Sequence, residues 1–171
     1  QEPFARHYRM WDYIAQELPA LLAEHFPVDL SRMGITGHSM GGHGALTIGL
    51  KHPDRFRSLS AFAPICRASE DGWGPDALTA YLGPDKAAWQ AYDACALMRA
   101  KGGKLPAILI DQGRADGAYK ESRLNPEAYR EACEAVGQTL TLRFHEGYDH
   151  GYFFIQSFID DHLRHHAALL A

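Results

Sequence analysis

The sequence lacks several features that mark whole classes of protein. Its formal net charge of -4 over 171 residues leaves no basic excess, which argues against a nucleic-acid partner. No apolar run approaches the roughly 18 residues that a membrane-spanning helix needs, so we expect no membrane partner. The chain opens with Gln1-Glu2-Pro3 rather than with a basic and then an apolar region, which argues against a signal peptide.

Cysteine is also scarce, and its spacing is not that of a metal centre. The three cysteines are an odd number without a C-x-x-C pair: Cys66, Cys95 and Cys133. We interpret them as free thiols in a reducing compartment.

Histidine is more abundant, and three histidines stand together near the end of the chain: His162, His165 and His166. On a helix, His162 and His166 would share a face and could hold a metal loosely. No H-E-x-x-H motif accompanies them. We therefore interpret the group as solvated side chains in the last helical turn that complement the helix dipole, and we expect no metal there.

Apolar segments with the spacing of a strand alternate along the chain with segments that have the spacing of a helix. The pattern predicts strands over 33–37, 59–63, 107–111 and 139–144. It predicts helices over 7–25, from 41 to before Pro53, near 77–82 and 86–98, over 126–136 and over 152–169, with Pro19 kinking the first helix or starting a second segment. This alternation favours an α/β fold with a mostly parallel sheet flanked by helices. We expect a single domain over 1–171, with an excursion over the end of the sheet at about 64–104.

The most informative motif is Gly37-His38-Ser39-Met40-Gly41, which matches the G-x-S-x-G nucleophile elbow. It follows a short apolar strand and precedes a glycine-rich helix start. In such a turn the serine takes a strained backbone conformation, and side chains at the flanking glycines would collide with the strand and the helix. The alternative is an ordinary helix-capping serine. We predict that Ser39 is a nucleophile and that the Met40 backbone N–H is one oxyanion donor.

Two further residues complete a hydrolytic constellation in the chain order serine, acid, histidine. His150 lies in a glycine-flanked loop after the last predicted strand, and it is the candidate base. Asp111 and Asp116 are both candidate acids after the preceding strand. We favour Asp116, because an orienting carboxylate in the loop reaches the far nitrogen of the histidine more readily. Ligands bind at the carboxyl ends of parallel strands, where these side chains would meet.

Several blocks together resemble S-formylglutathione hydrolase, a member of the α/β-hydrolase superfamily. The blocks are 37–45, 60–66, Trp73-Gly74, 81–83, Asp111-Gln112-Gly113, 147–150 and 158–166. The resemblance implies that Ser39, Asp116 and His150 are the catalytic triad of a cytoplasmic thioesterase, often dimeric, that needs no metal or organic cofactor. Its reaction would be hydrolysis of S-formylglutathione to formate and glutathione in formaldehyde detoxification.

The sequence departs from this family in two ways. Family members are considerably longer at the N-terminus, so we expect only the C-terminal portion of the fold, with the nucleophile strand as an exposed sheet edge. A second oxyanion donor would then lie outside this sequence. An aromatic residue usually follows the acid closely, where Gly117-Ala118-Tyr119 stands here.

The surroundings of the site leave alternatives open. Trp73 and Tyr81 either line the acyl or glutathione pocket or simply pack the excursion. The same triad on the same fold also suits a general short-chain carboxylesterase or an acyltransferase. A third alternative is a non-catalytic, truncated hydrolase module.

Overall fold

Four parallel strands form one sheet in the part of the chain that the structure describes. The structure, a computed structural model, describes residues 1–102 and 105–171. The sheet has the order β1-β2-β3-β4, and every neighbouring pair is parallel. Its strands are β1 (Met33–Ile35), β2 (Phe56–Phe62), β3 (Ile108–Gly113) and β4 (Leu140–His145). The predicted α/β fold and its parallel sheet are confirmed.

Nine α-helices accompany these strands within the described ranges. They are α1 (Met10–Asp12), α2 (Leu18–His25), α3 (Met40–Lys51), α4 (Gly74–Leu82), α5 (Lys86–Trp89), α6 (Ala94–Lys101), α7 (Gly117–Lys120), α8 (Pro126–Val136) and α9 (Tyr152–Leu170). A π-helical turn spans Tyr13–Glu17, and 3-10 turns span Leu30–Arg32 and Gln90–Tyr92. None of the helices in the described residues is both long and apolar enough to cross a bilayer.

Pro19 lies in the first turn of a second helical segment, which is one of the two alternatives that the sequence predicts. Proline has no N–H, and its ring would clash with the carbonyl group of Ala15 one turn earlier. The chain widens to a π turn just before it, where the Leu18 N–H donates to the Tyr13 carbonyl oxygen. The α2 helix then runs from Leu18 to His25.

The prediction of one continuous helix over 86–98 is wrong. It is divided into α5, a 3-10 turn and α6, because Asp93 leaves the helical conformation and caps α6. The Asp93 carboxylate accepts from the Ala96 N–H at 2.8 Å and from the Ser69 N–H at 2.8 Å. These pieces lie in the expected excursion, whose last two residues (103 and 104) are outside the described residues.

The two faces of β2 serve two different layers. Leu59 and Ala61 belong to a core cluster shared with α3, α6 and α8. By the two-residue alternation of a strand, Ser58, Ser60 and Phe62 lie on the opposite face, beneath α9. The sheet is therefore covered on both sides, as a parallel sheet requires.

The three cysteines are buried and free, as predicted from their number. Burial raises the pKa of the Cys95 and Cys133 thiols to about 12, and it also raises the pKa of the Cys66 thiol well above its ordinary value. These thiols are therefore uncharged at neutral pH and serve as core side chains.

The prediction that the α9 histidines are solvated in the last helical turn is wrong. The helix continues to Leu170, so the three residues lie before its last turn and on the face that meets the sheet. His162 is fully buried and stacks on Phe62, with ring centroids 3.7 Å apart. His166 contacts the hydroxyl oxygens of Ser58 and Ser60 at 2.6 and 2.8 Å. Both ring nitrogens of His166 and the Nε2 atom of His162 thus have polar partners in the sheet rather than in solvent.

Candidate active site

The turn between β1 and α3 holds Ser39 in a strained backbone conformation. Its φ of 59° and ψ of -119° are values that side-chain-bearing residues rarely adopt. The end of β2 secures the turn, because the Ser39 N–H donates to the Phe62 carbonyl oxygen and the Phe62 N–H donates to that of Gly37, each at 2.9 Å. The serine hydroxyl is thereby directed away from the sheet.

Among the three glycines around the elbow, Gly37 is sterically required and Gly42 is tightly packed. A Cβ at Gly37 would overlap the Gly41 carbonyl oxygen, and one at Gly42 would lie 3.0 Å from the Pro64 Cβ. The same expectation is wrong at Gly41, where an added Cβ meets no atom within 4 Å. Gly41 faces an open cavity of about 820 Å³ instead of a packed strand.

Three side chains that are distant in the sequence form one hydrogen-bonded chain. The Ser39 hydroxyl donates to His150 Nε2 at 2.8 Å, and His150 Nδ1 donates to Asp116 Oδ2 at 2.6 Å. The carboxylate can only accept, which assigns the Nδ1 proton and leaves Nε2 free to receive a proton from serine. Asp116 is fully buried, whereas the His150 side chain is 33% exposed.

Asp116 is held by four donors. Its Oδ1 accepts from the N–H groups of Ala118 at 2.8 Å and Tyr119 at 3.3 Å at the start of α7. Its Oδ2 accepts from the Gln112 side-chain amide at 3.1 Å as well as from His150. Together these hydrogen bonds fix the orientation of the carboxylate.

The elbow contributes a second imidazole, that of His38. The ring centroid of His38 lies 4.5 Å from that of His150. Burial, and then the nearby His150, lower the pKa of His38 below its ordinary value, which favours an uncharged neighbour for the base. Asp149 faces elsewhere and accepts from the Gly151 N–H at 2.8 Å.

Asp111, the other candidate acid, lies in a separate buried network. Arg143 donates to it through Nε and Nη2, each at 2.6 Å, and His162 Nε2 lies 3.3 Å from its Oδ2. Burial alone would raise its pKa, but the hydrogen bonds from His162 and Arg143 lower the pKa of Asp111 to about 2. This carboxylate joins β3, β4 and α9.

The side chains of the remaining predicted site residues lie outside the hydrogen-bonded chain of Ser39, His150 and Asp116. Met40 is the first residue of α3, where backbone N–H groups have no acceptor within the helix. Tyr81 lines the 820 Å³ cavity together with Met40 and packs against Phe4, with ring centroids 5.0 Å apart. Trp73 lies under the Arg123 guanidinium at 4.3 Å and is 49% exposed. Tyr119, in the loop that departs from the family pattern, donates to Glu127 at 2.5 Å.

A parallel sheet flanked by helices, with a strained serine after a strand and a Ser–His–Asp chain across its carboxyl edge, defines the class of α/β-hydrolase serine hydrolases. Comparison with known proteins agrees with this class. The esterase family model matches residues 1–165, and the chain belongs to the esterase family.

The chain is also similar to individual members of that class. It is 49% identical over 99% of its length to mouse S-formylglutathione hydrolase and 52% identical over 99% to that of Paracoccus denitrificans, in each case covering 60% of the relative. A solved S-formylglutathione hydrolase from Agrobacterium tumefaciens matches all of the chain with 51% identity and a TM-score of 0.95, and 61% of that structure is covered. The chain thus spans about 60% of the length of these relatives. The resemblance seen in the sequence is confirmed.

Sequence reasoning overlooked the role of one neighbour of the site. Gln112 belongs to the block Asp111-Gln112-Gly113, which contributes to the family resemblance, but no function was predicted for it from the sequence. A signal was available, because Gln112 lies two positions after Ile110 and four after Ile108, in the same alternating row of β3. A polar residue that continues an apolar row is expected to have a specific partner.

Proposed function

We propose that this chain carries the triad of a serine thioesterase that hydrolyses S-formylglutathione to formate and glutathione. The hydrogen-bonded chain from Ser39 through His150 to Asp116 is the observation that carries the proposal. The names of relatives that are about half identical over nearly all of this chain support the choice of substrate.

In the first step, His150 acts as general base. Its Nε2 takes the proton of the Ser39 hydroxyl as the serine oxygen attacks the formyl carbon. Asp116 stabilises the imidazolium and keeps its Nδ1 proton in place. The tetrahedral intermediate then expels glutathione as a thiolate, which leaves readily because thiols have a pKa near ~8.5. The departing sulfur takes the proton from His150 Nε2, so that the imidazole is neutral again before the second step.

The negative oxygen of the intermediate requires preorganised donors. The Met40 N–H supplies one at the positive end of α3, and a second donor comes from polypeptide outside this sequence. Loss of a single oxyanion donor typically lowers turnover about 10²–10³-fold. The proposal therefore predicts slow turnover by the 171-residue chain alone.

In the second step, water replaces the thiol. His150 takes a proton from that water, which attacks the formyl-serine carbonyl, and formate leaves as the Ser39 hydroxyl is restored. Trp73 and Tyr81 contact the substrate in this proposal. The cellular role is formaldehyde detoxification in the cytoplasm by an enzyme that forms a homodimer.

The proposal is tested by incubating the purified chain with S-formylglutathione and detecting formyl-Ser39 by mass spectrometry. We expect a mass increase on the peptide that contains Ser39, and none in Ser39→Ala. A fluorophosphonate probe gives an independent measure of the same nucleophile. Failure of both reagents to modify Ser39 in folded protein would contradict the proposal.

Substrate comparison separates the thioesterase from the other candidates. Faster release of formate from S-formylglutathione than of nitrophenol from short p-nitrophenyl esters supports the proposed substrate. The reverse preference supports a general carboxylesterase, and the absence of any acyl-enzyme supports a non-catalytic module.

A further inference from the structure

Gln112 is a polar residue in an otherwise apolar row of β3. By the alternation of a strand, Ile108, Ile110 and Gln112 lie on one face, and both isoleucines belong to the main core cluster. Gln112 is itself fully buried, with 0% of its surface exposed. Burial of a glutamine at the end of such a row calls for a specific interaction.

The side-chain amide of Gln112 contacts two groups that can only accept. Its nitrogen lies 3.1 Å from the Gly113 carbonyl oxygen and 3.1 Å from Asp116 Oδ2. These two acceptors fix which end of the amide is the NH2 group. The Asp116 oxygen that it contacts is the one that accepts from His150.

This orientation leaves the other end of the amide without a partner. Gln112 Oε1 is buried and makes no hydrogen bond to any of the described residues. A buried acceptor without a partner is costly, so packing alone does not account for a glutamine here. The benefit lies at the donor end, on Asp116.

We propose that Gln112 is a positioning residue, which acts on His150 by fixing the carboxylate of Asp116. The inference rests on the proposed function in so far as it takes Ser39, His150 and Asp116 to be the working triad. Four donors around one carboxylate leave it a single orientation, and two of them converge on Oδ2. Gln112 is the donor on β3 itself, so it ties the acid directly to the sheet.

The Gln112 amide also reduces the negative charge of Asp116 that acts on His150. Its N–H shares Oδ2 with the imidazole, so part of the negative charge is neutralised. Without that donor, the full charge of the carboxylate would act on the imidazolium and stabilise it more strongly. The titratable groups that face His150 are Asp116 and His38, and neither is altered in the variants below.

Two substitutions of Gln112 and one matched control test the inference. Gln112→Met keeps the length and packing of the side chain but removes the donor. Gln112→Glu keeps the shape and places a second carboxyl group beside Asp116. The control is Gln138→Met, since Gln138 is also a buried glutamine whose amide donates to carbonyl groups, those of Leu105 and Pro106.

The first measurement is the rate of fluorophosphonate labelling of Ser39 as a function of pH. We expect Gln112→Met to label about 10- to 100-fold more slowly, because a small misplacement of a reacting group has this effect. We expect the midpoint of its pH profile to move upwards, and that of Gln112→Glu to move further. Gln138→Met should label within about twofold of the parent chain, with the same midpoint.

The second measurement does not depend on activity. The His150 Nδ1 proton, shared with a carboxylate, should give a far-downfield NMR resonance in the parent chain and in Gln138→Met. We expect Gln112→Met to lose or shift it. If both Gln112 variants match Gln138→Met in resonance and midpoint, the inference is overturned. If the parent chain does not label but the resonance responds to Gln112, the proposed function fails and the inference stands.

Discussion

The backbone N–H of Ala115 donates to the carbonyl oxygen of Tyr148 at 2.9 Å. This bond joins the loop that carries Asp116 to the loop that carries His150. The β3–β4 ladder leads directly into it, because the Arg114 N–H donates to the His145 carbonyl oxygen at 2.9 Å. The acid and the base are therefore aligned by backbone contacts as well as by their own hydrogen bond.

Gly113 makes this close approach of the two loops feasible, and Gly113→Ala tests it. A Cβ at this position would overlap the Tyr148 carbonyl oxygen. We expect the histidine loop to be displaced, with at least a tenfold loss in the rate of fluorophosphonate labelling of Ser39.

The control for this change lies four residues further along the chain, at the start of α7. A Cβ at Gly117 meets no atom within 4 Å, so Gly117→Ala should label at close to the parent rate. Circular dichroism establishes that both variants fold. Equal labelling by the two variants would contradict the proposed coupling of the loops.

Asp111 and Asp116 should respond differently to loss of charge. Asp116→Asn removes the acceptor that holds the Nδ1 proton of His150, and in serine-protease triads such a change lowers turnover about 10⁴-fold. We expect Asp116→Asn to remain folded and to label at Ser39 at least 10³-fold more slowly. Labelling rates and thermal unfolding of the same samples measure the two effects.

The matched variant is Asp111→Asn. It removes the charge that Arg143 and His162 contact, and hydrogen bonds to charged groups contribute about 1.5–3 kcal/mol each. We expect a clear fall in the free energy of unfolding, with labelling of the folded fraction retained. A large loss of labelling at unchanged stability would assign the acid to Asp111 instead.

Much of this arrangement follows from local sequence signals. Four apolar runs separated by helical patterns predict the parallel sheet, and the elbow motif predicts the strained Ser39. Asp116 and His150 could be selected because both follow strands whose carboxyl ends meet at one edge. These features depend on periodicity and turn chemistry, which are properties of a few neighbouring residues.

Other features depend on contacts between distant segments. The open space beside Gly41 depends on which segments pack against α3, and the sequence around a glycine does not reveal these neighbours. The burial of His166 depends on two serines about a hundred positions earlier in the chain. From the sequence alone, polar residues at helical spacing are predicted to face solvent. The prediction changes only when the strand face that carries their hydrogen-bond partners is known.

The cysteines should be unreactive while the protein is folded. All three are buried, and burial raises the pKa of each thiol, so little thiolate exists at neutral pH. We expect almost no alkylation by iodoacetamide at pH 7 under native conditions. In denaturant, mass spectrometry should find all three alkylated, and rapid native alkylation would contradict the buried arrangement.

His166 should make stability depend on pH in a defined window. Burial, and then the nearby His165 and His162, lower the pKa of His166 to about 4, whereas a histidine in the unfolded chain titrates near ~6.5. Between these values the unfolded chain binds the extra proton, so the free energy of unfolding falls as the pH falls from about 6.5 to 4. We expect His166→Gln, which retains hydrogen bonding without a titrating ring, to flatten this dependence in urea titrations. The exposed His25→Gln should keep the parent slope, and equal slopes in all three proteins would show that His166 does not titrate with folding.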